Sequence, residues 1–168
     1  ATATVTISDT IAPTVTAPAN ITVEANSAAG TLATNASIVT FLAGSSAVDT
    51  VDPTPTFTQH NAPTTFPLGD TVVTFTHTDA SGNAGTATAT VTISDTIAPT
   101  VTAPGNITVE ADSAAGTPAT NASIVAFLVG SSSVEAVDPT PTVTNDAPTT
   151  FPLGDTVVTF THTDASGN

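Results

Sequence analysis

Residues 66–83, FPLGDTVVTFTHTDASGN, recur letter for letter at 151–168, and their reading decides the fold. Phe66-Pro67-Leu68-Gly69-Asp70 carries the Pro and Gly of a tight reversal. Val73, Phe75 and His77 then alternate with Thr74, Thr76 and Thr78, the period-2 pattern of a strand with one buried face. Asp79-Ala80-Ser81-Gly82-Asn83 closes the stretch with a carboxylate, a glycine and a carboxamide, a loop able to turn sharply and aim oxygens at one point.

Working outward, the duplication extends over the whole chain. ATATVTISDT at 1–10 is identical to 87–96, an offset of 86, whereas Asp79 recurs at Asp164, an offset of 85. One residue is therefore absent from the second copy, where FTQHNAP (57–63) becomes VTNDAP (143–148), a change that a bulge or loop absorbs. A period near 86 is too long for a solenoid turn and fits one small β-sandwich per repeat. This divides the chain into 1–8, the last strand of a preceding repeat or a donated strand; 9–94, repeat 1; and 95–168, repeat 2 lacking its last strand. Two arrangements follow: a window on a longer covalent array, or subunits that each lend their first strand to a neighbour. Near-identical repeats favour the covalent array, and both arrangements predict end-to-end polymers.

The composition agrees with an all-β fold. Thr, Val and Ile abound, 13 Pro punctuate short segments, and hydrophobic residues make up 39 %, which with the regular alternation argues against disorder. Ala1, Ala3, Val5 and Ile7 form one inward set, and Ile21, Val23 and Ala25 another. Pro13 and Pro18 bracket an edge strand. Thr34 to Gly44 breaks the rhythm: Ile38, Phe41 and Leu42 stand at helical spacing, Thr34 or Asn35 can cap the start and Gly44 the end, giving one short helix per repeat.

The chain has no Lys, Arg or Cys, and carries 14 Asp plus Glu for a formal charge of −14. Nucleic acid and anionic membrane surfaces are poor partners for such a chain, and neither a disulfide nor a thiolate metal site exists. No apolar run is long enough to span a bilayer. No serine sits in a nucleophile-elbow context, and with Lys, Arg, Cys and Tyr absent most enzyme chemistry is gone.

The order DTIAPTVTAP, NITVEA, VDPTPTFT, FPLGDTVVTFTHTDASGN and TATATVTIS resembles the hyalin-repeat (HYR) family over essentially every residue of both repeats. The resemblance implies tandem immunoglobulin-like sandwiches and an extracellular or cell-surface adhesion role. The absence of paired cysteines makes cysteine-free bacterial arrays the nearer comparison and leaves stiffness to be supplied otherwise.

In that topology the loops at Asp9, Asp49, Asp52, Asp79 and Asn83 share a pole; the second repeat offers Asp95, Glu135, Asp138, Asp164 and Asn168. All-oxygen ligands without countercharge point to calcium, fastening successive domains. The bland alternative is a set of Asx-turn acids kept for solubility. His77 and His162 face inward near that pole, as packed imidazoles rather than ligands. Asn20, Asn35, Asn106 and Asn121 stand in N-x-S/T sequons. The leading expectation is thus a non-enzymatic stalk or filament whose partners are neighbouring repeats or identical subunits. The alternative is a surface module gripping a glycan, a cell surface or, through its Thr faces, ice.

Overall fold

The computed structural model describes residues 1–168, which divide into two compact units, 1–95 and 96–168. The chain is all-β apart from two seven-residue helices.

In the first unit the strands are β1 (Thr14–Thr16), β2 (Ile21–Glu24), β3 (Thr31–Leu32), β4 (Ser46–Val48), β5 (Thr56–His60), β6 (Thr65–Phe66), β7 (Gly69–Thr78) and β8 (Ala84–Ser94), with α1 (Ala36–Leu42) between β3 and β4. The main sheet has the order β2-β8-β7-β5, in which β2 runs parallel to β8 and the other pairs are antiparallel. Two small antiparallel ladders, β1–β4 and β3–β6, complete the unit.

The alternation along β7 places Val73, Phe75 and His77 inside, on the same face as the buried Ala89, Val91 and Ile93 of β8, with Val73 directly opposite Ala89. Phe41 of α1 meets Phe75 edge-on, ring centroids 5.6 Å apart, and Ile38 and Phe66 close the same core. Each such side chain removed from water contributes about 1.5–3 kcal/mol. The helix forms where its spacing predicts: Asn35 caps it by accepting the Ser37 N–H at 3.0 Å, and Gly44 N–H returns to the Phe41 carbonyl at 3.0 Å.

The second unit contains β9 (Thr100–Thr102), β10 (Thr117–Pro118), α2 (Ala122–Leu128), β11 (Ser132–Val134), β12 (Thr142–Asn145), β13 (Thr150–Phe151) and β14 (Phe160–Thr163), paired β9–β11, β10–β13 and β12–β14. The one-residue difference between the copies is a bulge. β5 slips register between Phe57 and Gln59, whereas β12 runs against β14 without interruption, so Thr58 is the extra residue. Beyond it, the Asn61 carboxamide accepts the Thr74 N–H at 2.8 Å as the Asp146 carboxylate accepts that of Thr159 at 2.7 Å.

Identical letters do not always make identical elements. NITVEA contains β2 in the first unit, but the same letters at 106–111 form no strand. GDTVVTFTHT is the ten-residue β7, but its twin contributes only the four residues of β14. Both segments flank β8 in the first unit, and no strand of the second unit stands in that place. Ala1, Ala3, Val5 and Ile7, expected to face inward from the strand of a preceding repeat or from a donated strand, have no such neighbours within this chain. Residues 1–8 form no strand, and Val5 and Ile7 are 84 % and 90 % exposed, while their twins Val91 and Ile93 in β8 are buried. A strand is held by ladder bonds and a covered face, and residues 1–8 have neither.

Candidate metal centre

At one end of the first unit, carboxylate oxygens of Asp9, Asp49 and Asp79 lie within 4.8 Å of one another. Three stretches far apart in sequence supply them: the lead-in to β1, the loop after β4 and the end of β7.

Each acid is held by its own loop. The Asp79 Oδ1 accepts the N–H groups of Ser81 (2.9 Å) and Asn83 (2.8 Å), and its Oδ2 accepts the Asn83 Nδ2–H at 2.8 Å. Burial pushes this carboxyl up, but the bonds from the Asn83 side chain and from the backbone of Asn83, Ser81 and Gly82 outweigh it and hold it below the ordinary carboxylate value. Asp49 Oδ1 accepts from Val51 (2.8 Å) and Asp52 (2.9 Å), closing an Asx turn. Asp9 Oδ1 accepts the Ile11 N–H at 3.1 Å, whereas its Oδ2 is buried with no hydrogen-bond partner. A buried, unpartnered oxygen on a carboxylate grouped with two others, in a chain with no Lys or Arg, lacks the compensation such groups require.

Asp52 and Asn83 stand beside this trio in bracing roles. Asp52 spends Oδ1 on the Thr54 N–H and Oδ2 on the Ala80 N–H, both at 2.9 Å, which ties the two loops together. The Asn83 Nδ2 also donates to the Asp9 carbonyl at 3.3 Å. Its amide nitrogen, a donor, is thus turned towards the acids. Residue type alone does not reveal that orientation.

In the second unit Asp164 repeats the pattern, accepting from Ser166 (2.9 Å), Asn168 N (2.8 Å) and Asn168 Nδ2 (3.1 Å). Burial pushes its carboxyl up as well, and the Asn168, Ser166 and Gly167 bonds bring it below the ordinary value. Asp138 reaches the Ala165 N–H at 2.9 Å. Glu135, a methylene longer than Asp49, still closes its turn by accepting the N–H groups of Val137 and Asp138. Asp95 is the last residue of the first unit.

The two histidines are packed imidazoles. His77 Nε2 meets Ser45 Oγ at 3.0 Å, and the ring lies edge-on to Phe57 with centroids 5.4 Å apart. His162 bonds Ser133 and Ser131 through its two nitrogens, both at 2.9 Å. None of these three serines lies near its histidine in the chain, so no local signal in the sequence marks them as partners. Three of the four sequon asparagines have structural work: Asn35 and Asn121 cap the helices, and Asn20 Oδ1 accepts the Thr90 N–H at 2.8 Å.

The HYR domain family matches residues 8–93, from just before Asp9 to the end of β8. The chain is also similar to "Hyalin" of Lytechinus variegatus, 35 % identical over 121 residues, which is 65 % of this chain and 21 % of that protein. The chain thus spans about a fifth of the length of this curated relative. No solved structure matches it.

Proposed function

The chain belongs to the HYR domain family, and on that premise we propose that it is a calcium-fastened structural module of an extracellular, adhesion-type protein, non-enzymatic and built of tandem β-units. The family suggests the adhesion-type role, and no helix is long and apolar enough to cross a membrane. The finer reading rests on one observation: the unpartnered, buried Oδ2 of Asp9 beside the carboxylates of Asp49 and Asp79.

Calcium takes six to eight oxygens at about 2.3–2.6 Å, so two oxygens on one ion stand at most about 5 Å apart. The trio's separation of up to 4.8 Å lies within that limit. Asp9 belongs to the segment entering β1, Asp49 and Asp79 to loops of the sandwich. An ion held by all three ties the incoming chain to the end of the unit and removes the mutual repulsion that otherwise splays it. The bracing bonds of Asp52 and Asn83 set the loops before the ion arrives. In a tandem array, such ties convert a flexible string into a stalk or filament.

The test is calorimetry of the chain in calcium and in excess chelator. A ligand bound only by the folded state adds about 2.7 kcal/mol at a hundredfold excess over Kd, so the melting midpoint of the first unit rises with calcium. Superimposable melts in the two buffers would overturn the reading.

A further inference from the structure

The segment that enters the first unit runs beside β8 in the same direction, from one end of that strand to the other. Just before β8, Asn83 Nδ2 donates to the Asp9 carbonyl at 3.3 Å. At Gly85 the two backbones lie too close for a side chain, and an added Cβ would stand 2.0 Å from the Pro13 carbonyl oxygen. Further along, Asn20 Oδ1 accepts the Thr90 N–H at 2.8 Å. β2 then pairs with β8 in parallel, from Ile21 with Val91 to Glu24 with Ser94. The Ala25 N–H closes this ladder on the Ser94 carbonyl at 2.8 Å.

We propose that the β2–β8 ladder is a mechanical clamp, a contact that bears tension applied along the chain. The chain enters the unit at the Asp9 end of β8 and leaves it at the Ser94 end, so tension draws β2 and β8 in opposite directions along a shared axis. Ladder bonds run across that axis, so they are loaded together in shear and yield as a set. Pulled apart from one end, the same bonds open one after another. The other flank of β8 is secured by ten consecutive pairs with β7. Val23, Val91 and Ile93 are buried beside the ladder and keep water from its bonds. Asn20 has a particular place here: its side chain extends the ladder one position beyond β2, at the end where the load arrives. The three pairs of β1 with β4 stand ahead of it in the load path.

Forced unfolding is governed by the rate at which the native state breaks, and the direction of pull acts on that rate. The clamp rests on the stalk reading for the source of the load. Its bonds involve no cation, so its failure and the failure of calcium binding are separate results.

The chain has no Cys, so introduced cysteines fix the points of attachment. The 168-residue chain is stretched by single-molecule force spectroscopy, in chelator throughout. Handles at Ser8→Cys and Ala98→Cys load the ladder in shear. Handles at Asn26→Cys and Ala98→Cys grip the adjacent ends of the two strands and peel it. All three positions are exposed, and the strands of the second unit, which begin at Thr100, lie outside both load paths. Rupture in shear is expected at several-fold the force of peeling. Asn20→Ala is expected to lower the shear force and leave the peeling force unchanged, because peeling starts at the Ser94 end. Equal forces in the two geometries overturn the proposal, as does an Asn20→Ala variant that affects both forces alike.

Discussion

Nδ1 of His162 lies 2.9 Å from the hydroxyl of Ser133, while Nδ1 of His77 is buried with no partner, because the residue in the place of Ser133 is Ala47. The strand registers make the equivalence explicit: Ser133 pairs with Val101, Ala47 with Val15. At this position the two units differ by one satisfied nitrogen.

Ala47→Ser restores that contact. A hydrogen bond to a buried polar group is worth about 1 kcal/mol, and about 4–8 °C in a unit this small. Calorimetry is expected to show the first unit melting higher, and Ser133→Ala to lower the second unit by a similar amount.

Asp9→Asn separates repulsion from ligation. In chelator the change removes one of three neighbouring charges and supplies a donor where Oδ2 is unpartnered, so the melting midpoint holds or rises. In calcium the same variant loses the ion-dependent rise. Titration with calcium, read as midpoint against concentration, checks both halves.

Asp146→Asn tests the acid limb of stability. The Thr159 N–H donated to Asp146 holds its carboxyl below the ordinary 3.8, outweighing the opposing effect of burial. A folded-state value below the unfolded one contributes stability that is present above about pH 4 and disappears as pH falls through the folded value. Asn61 accepts the equivalent N–H at 2.8 Å, so the amide fits the site. The stability difference between wild type and variant is therefore expected to be constant above that pH and to vanish in stronger acid.

Gly30→Ala and Gly116→Ala are expected to break their units. Their φ angles are +99° and +102°, and an added Cβ would stand 1.9 Å from the carbonyl oxygen of Phe66 or Phe151. Strain in the left-handed region costs about 1–3 kcal/mol before the clash with backbone is counted. Loss of the cooperative transition of the altered unit, with the other unchanged, is the expected melt.

The HYR signature, the all-β class and the short helix are legible in the letters, because turn residues, period-2 alternation and the Asn35 cap are local signals. The helix shows this best: Ile38 and Phe41 reveal its buried side, and nothing distant is needed to start or stop it. The acids of the candidate centre were nameable, but their division of labour was not. Asp9, Asp49 and Asp79 converge while Asp52 and Asn83 brace them, and this depends on which atoms the folded loops turn inward.

ATATVTIS marks the boundary between the two kinds of knowledge. By itself the sequence determines that this segment alternates, carries no charge and suits a strand. Only the tertiary structure decides that residues 87–94 are one, lying between β2 and β7, and that residues 1–8 are not. A helix closes its hydrogen bonds within its own turns, but a strand's bonds and buried face belong equally to its neighbours, so eight identical residues have two structures according to what stands beside them.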